Sequence, residues 1–129
     1  MKRYISIFTI TLAFFLLASS LSGCFDESKT QLEGIEIQQV SDGEYEGKCD
    51  AGIVYAKVLV RVRNNAVTEI EILEHRKGLG GPAEVIVDDV IKAQSLKVDA
   101  VTGATASSKT ILKAIENALK KGAKEVIER

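Results

Sequence analysis

The residues with the clearest chemical potential stand in a row, Asp99-Ala-Val-Thr-Gly-Ala-Thr-Ala-Ser-Ser108. Gly103 permits a backbone conformation that a residue with a Cβ resists, and the small Ala104 and Ala106 leave the hydroxyl of Thr105 sterically open. Ser107 and Ser108 are good helix N-caps. Ile111, Ala114, Ile115, Ala118 and Leu119 then recur at the three-and-four spacing that gives a helix one apolar face, with Gly122 placed to end it. Thr105 is therefore expected just ahead of a helix N-terminus, where free N–H groups and the positive end of the dipole favour a phosphate. Lys109, in the first turn, opposes that dipole unless a nearby phosphate supplies a charge-assisted partner. On spacing alone, these residues simply cap a helix.

The elements that must position this stretch are legible in outline. Ser41-Asp42-Gly43 is a turn signal, followed by a short strand over Glu44 to Cys49 and a second turn at Asp50-Ala51-Gly52. From Ile53 to Arg63 the alternation puts Val54, Ala56, Val58, Val60 and Val62 on one face, with Tyr55, Lys57, Leu59, Arg61 and Arg63 on the other. Asn64-Asn65 accepts the positive φ angles of a tight hairpin, and Val67 to Glu74 returns as a third strand, alternating Thr68, Ile70 and Ile72 with Glu69, Glu71 and Leu73. Outward Lys and Arg of one strand can meet Glu of the next, which sets register. Next come the loop His75-Arg-Lys-Gly-Leu-Gly-Gly-Pro82 and a helix with Ala83, Ile86, Val87, Val90 and Ile91 on its apolar face. The expected architecture is a small α+β domain, a twisted antiparallel β-sheet packed on one face by two α-helices. Its core comprises Val54, Val58, Val60, Ile70, Ile72, Ile86, Val90, Ile111, Ile115 and Leu119.

Asp99-x-x-Thr102-Gly103-Ala104-Thr105 resembles the flavinylation motif of the FMN-binding domain family, in which Asp, two variable residues, Ser or Thr, Gly, Ala and Thr precede a helix. The similarity extends over roughly Asp42 to Gly122. It implies that FMN is carried on Thr105 through a phosphoester bond made by an FAD:protein FMN transferase, as in the small C subunit of sodium-pumping quinone reductase. Asp99 opens the motif, Thr102 takes its Ser/Thr position, Gly103 and Ala104 match directly, and Ser107 follows at the helix start. In that family the loop after the hairpin comes close to the flavin, which makes His75, Leu79, Gly80 and Gly81 secondary cofactor-binding candidates. The segment between His75 and Gly80 is shorter and more basic than the family pattern.

At the N-terminus, Lys2 and Arg3 precede an apolar run from Tyr4 to Leu21 and then Leu21-Ser22-Gly23-Cys24. This order of charge, apolar run and small residues is that of a secretory signal, 1–23. It also resembles the bacterial lipobox, whose Cys becomes the lipidated first residue, here Cys24. Read as an uncleaved membrane helix, the run is close to the minimum spanning length, and Ser19, Ser20 and Ser22 weaken its end. Residues 24–40 read as a polar tether able to span on the order of 50 Å, with Leu32, Ile35 and Ile37 available to dock as a short strand. The domain is expected over 41–122, followed by a charged tail, 123–129.

Removal of the leader from the 129 residues leaves enough chain for one small domain. The leader holds Lys2 and Arg3 and no acid, so the remainder carries 15 basic and 18 acidic residues, a formal charge of about −3 with no basic block. Nucleic acid is not an expected partner. With Cys24 lipidated, Cys49 stands alone, and no disulfide framework, metal cluster or Cys-x-x-Cys pair can be drawn. A lone Cys of this kind is usually structural, with a reactive or intermolecular role as the minor alternative. Neither haem nor iron–sulfur ligand sets nor a nucleotide fingerprint appear.

The resulting expectation is a lipid-anchored, extracytoplasmic flavoprotein that relays electrons between a membrane reductase or quinone-linked donor and an external acceptor. It is an electron-transfer protein more than a stand-alone enzyme. The alternatives are an envelope module holding FMN or another small ligand noncovalently without turnover, and a structural lipoprotein with a vestigial motif.

Overall fold

A computed structural model describes residues 25–76 and 80–127, the last four as backbone alone. Three strands, β1 (Gly43–Asp50), β2 (Tyr55–Arg63) and β3 (Ala66–Arg76), form one antiparallel sheet in the order β1-β2-β3. A 3₁₀ turn over Gly81–Val85 leads into α1 (Ile86–Ala93), and a linker leads to α2 (Thr105–Ile127). Helix α2 lies across β1 and β2, while α1 sits beside β3. The expected α+β class and the two-helix cover are what the chain adopts. Among the described residues no helix is long and apolar enough to cross a membrane.

The alternation in β2 is realised as read: Ala56, Val58, Val60 and Val62 are buried against α2. Asn64 and Asn65 take φ of 51° and 57°, closing the hairpin. Arg61 gathers Glu44 at 2.9 Å and Glu69 at 2.5 Å across the outer face.

β3 departs from simple alternation. The register skips Thr68 between the pairs Arg61↔Glu69 and Val62↔Val67, and skips Leu73 between Lys57↔Glu74 and Val58↔Ile72. Each bulge reverses which residues face inward. Val67 therefore fills the core position expected for Thr68, whose hydroxyl donates to the Arg61 carbonyl instead. The second bulge turns His75 inward opposite Ala56. The rest of the expected core is buried, with Ile72 half-buried at its edge.

Helix α2 does not end at Gly122 but runs on to Ile127, through the stretch expected as a tail. Gly122 is required for contact: a Cβ there would come within 2.5 Å of the Tyr45 ring and 2.6 Å of Val40. Gly47 on β1 plays the same role lower on the helix, where a Cβ would meet the Ala114 carbonyl at 2.1 Å.

The segment read as a tether is packed from Phe25 onward. Asp26 caps a 3₁₀ turn over Glu27–Thr30, and Ile37 and Val40 are buried in the core. Gly34, at φ +82°, lets the backbone turn its N–H and that of Glu33 onto the Glu116 carboxylate, at 2.8 and 2.7 Å. Glu116 is fully buried on α2. The segment docks as 3₁₀ turns and not as a strand, held by these bonds to Glu116 and by the buried Ile37 and Val40. A polar composition concealed them.

Candidate functional site

The motif residues form a turn that runs directly into α2. The Ala104 N–H donates to the Val101 carbonyl at 2.9 Å, and Gly103 supplies φ of +78° at the third turn position. That geometry belongs to a type II turn, where a Cβ is strained. Space is not the reason for this glycine, since a Cβ would find no atom within 4 Å. Ser108 pins the turn from below: its hydroxyl accepts the Val101 N–H at 3.0 Å and donates to the Ala104 carbonyl at 2.8 Å.

The helix begins at Thr105, earlier than the serines suggest. Ser107 and Ser108 are accordingly buried inside its first turn and are not its caps. Ala104 is buried, which fixes the turn in place, while Asp99, Thr102, Gly103 and Thr105 are exposed. An open hydroxyl thus stands on the first residue of a 23-residue helix, among N–H groups that have no intrahelical acceptor. The local field favours an anion there.

Lys109 lies one turn further on and is engaged. Its ammonium pairs with the Glu27 carboxylate of the docked N-terminal segment, and this bond and charge hold the Glu27 carboxyl below its ordinary range. The charge-assisted partner that Lys109 requires against the dipole is supplied in the folded chain by Glu27. Between the two elements lies a cleft of about 450 Å³, bordered by Leu32, Leu96, Val98, Asp99, Lys109 and Leu112.

The second candidate region meets the first only in part. His75 has a side chain 2 % exposed, with Nδ1 3.1 Å from a Glu84 carboxylate oxygen and Nε2 buried without a hydrogen-bond partner among the described residues. Gly80 is buried and accepts the Ala83 N–H, and Gly81 opens the 3₁₀ turn, which packs against α2. Leu79 lies outside the described residues, as does Cys24. The helix contact brings the Gly81–Val85 turn to α2, whereas His75 is tied to Glu84 and turned into the fold.

Three contributors escaped the sequence reading. Glu27 and Glu116 lie about eighty positions from their partners, and no local pattern marks such pairs. Arg76, donating to the Gly52 carbonyl at 2.8 Å and lying over the Tyr55 ring, closes the same end of the sheet. Cys49 is buried with its Sγ on the Lys29 carbonyl, and burial pushes its thiol pKa up, as suits a structural cysteine.

The donor set suits FMN. An exposed hydroxyl among the free N–H groups of a helix N-terminus suits the phosphate of FMN, and the glycine turn leaves that hydroxyl open. The comparisons agree. The model of the FMN-binding domain family matches residues 52–120, from the turn before β2 to late α2. No curated protein and no solved structure shows a significant match. With just over half its length matched and the exposed turn inside that match, the chain belongs to the FMN-binding domain family and is a flavoprotein.

Proposed function

We propose that FMN is held covalently on Thr105 and that the protein relays electrons outside the cytoplasmic membrane, anchored by lipid on Cys24. The observation that carries the reading is the exposed Thr105 hydroxyl at the head of α2, behind the Gly103 turn. In the attachment step, Thr105 Oγ bonds to the FMN phosphorus of FAD as the bond from that phosphorus to the AMP moiety breaks. The hydroxyl proton passes to a base of the transferase, and AMP leaves. The product is a phosphodiester with one negative charge, placed where the helix field stabilises it.

Once attached, the isoalloxazine supplies one- and two-electron chemistry, and the protein's part is to hold and orient it. A covalent bond suits a small extracytoplasmic domain, because a noncovalent cofactor is lost once its free concentration falls below Kd. The partners of this reading are the FAD:protein FMN transferase, a membrane reductase or quinone-linked donor, and an extracytoplasmic acceptor.

Co-expression with an active transferase should add one FMN to the wild-type mass and leave fluorescence on the chain in a denaturing gel. Thr105→Ala should abolish both, and equal labelling of that variant would remove the assignment. Thr102 is exposed three residues away, so peptide mapping must place the adduct.

A further inference from the structure

Phe25 joins the fold at a defined pole. It bridges Gly52, and the Asp26 N–H donates to the Ala51 carbonyl at 3.3 Å, so the chain arrives at the β1–β2 turn. Arg76, at the end of β3, bonds the same Gly52. Helix α2 runs antiparallel to β1: Asn117 reaches the Lys48 carbonyl and Lys121 the Glu46 carbonyl. Followed back from Asn117, the helix rises about 18 Å to Thr105, while β1 has only about 7 Å left to its end at Asp50. The N-terminus of α2 therefore projects at the pole where Phe25 enters, and the Glu27–Lys109 pair ties the two together.

The same pole carries an apolar side chain that the fold does not use. Ile53, in the β1–β2 turn beside Gly52, is 58 % exposed, the largest exposure among the large hydrophobics of the described residues. Arg76, bonded to the neighbouring Gly52 carbonyl, and Lys29, in the turn that follows Asp26, carry exposed cationic ends at this pole, paired with Asp50 and Asp26. From this we infer that the β1–β2 turn and the N-terminus of α2 form a membrane-facing surface. Its occupant is the bilayer that holds the lipid on Cys24, one residue before Phe25.

The inference rests on the lipid-anchor reading above. A lipid on a slack tether leaves a domain free to turn in any direction, on the order of 50 Å from the surface. Here the slack is taken up by docking on α2. Ile53 then adds an apolar contact with the bilayer, and that contact sets which way the domain faces. Thr105 is held at the headgroup level, and electron exchange is directed to a membrane-embedded partner.

The test uses the full lipidated chain on phosphatidylglycerol and phosphatidylethanolamine vesicles that carry a headgroup spin-label quencher. A fluorophore is placed at Thr102→Cys or, at the opposite pole, at Arg63→Cys; Cys49 is buried and Cys24 acylated. Quenching should be several-fold stronger at position 102 than at 63, and Ile53→Ser should narrow that difference. Equal quenching at both positions in the acylated chain overturns the orientation. A chain whose mass shows no acyl group overturns it through the anchor, and the mass separates the two failures. Neither readout depends on flavin.

Discussion

The Glu33 amide donates to the carboxylate of Glu116 at 2.7 Å, although each residue carries an acid group. Lys113 makes this possible by bridging both side chains, at 3.0 Å to Glu33 and 2.7 Å to Glu116. Lys120 adds a second cation on Glu33 at 2.7 Å. Burial lowers the Lys113 pKa, but its bonds to Glu116 and Glu33 outweigh that and raise it overall.

Removal of the Glu116 carboxylate leaves two backbone N–H groups without their acceptor and takes one of two carboxylates from the buried Lys113. Glu116→Ala should cost on the order of 3 kcal/mol in chemical denaturation. Glu116→Gln, which keeps an acceptor, should cost less. Amide exchange at Glu33 and Gly34 should accelerate in both, and unchanged exchange would mean that the segment docks by other means.

The pH response of this cluster has a definite sign. Lys120 and then Lys113 hold the Glu33 carboxyl down to about 2, from an ordinary 4.5. A depressed folded-state pKa contributes stability in full above about 4.5, and that contribution fades as the pH falls toward about 2. Protection of the 25–40 segment should follow that course. A carboxyl NMR titration of Glu33 with a midpoint near 4.5 would show that the ion pairs do not hold in solution.

Gly47 and Gly103 should fail in different ways. At Gly47 a Cβ meets backbone, the Ala114 carbonyl at 2.1 Å and the Ala118 nitrogen at 2.4 Å, so α2 must lift from β1. Gly47→Ala should destabilise by about 3 kcal/mol or more, as severe overpacking does.

At Gly103 the surroundings are open, and only the backbone angle resists. Gly103→Ala should cost about 1–2 kcal/mol in denaturation, and Gly103→Asn less. If the turn presents Thr105 to the transferase, both variants should also slow FMN incorporation, measured by mass against time.

How much could be read from the chain follows from the range of the forces involved. The β2 alternation and the α2 stripe from Ile111 to Leu119 are local periodicities and appear as read. So does the turn at Gly103, because one residue type meets one backbone demand. The bulges at Thr68 and Leu73 were hidden because each arises from pairing with β2, and they reversed the side of Val67 and His75. Gly122 carried a local stop signal that tertiary contact with Tyr45 overrode. The docking of residues 25–40 depends on Glu27–Lys109 and Glu116, pairs joined only by the fold, and a polar composition suggested the opposite.

The bulges of β3 have one more consequence, for how copies of this chain coexist. β3 is an outer strand of the sheet, and an open outer strand invites pairing with a neighbour. Here the invitation is withdrawn three times. Gln94 occupies both the N–H and the carbonyl of Val67 with its side-chain amide, at 2.8 Å each. Thr68 and Leu73 break the ladder, and Glu69, Glu71 and Glu74 line it with charged side chains, the first two paired with Arg61. Molecules crowded side by side would find no open ladder at this edge along which to zip into a shared sheet.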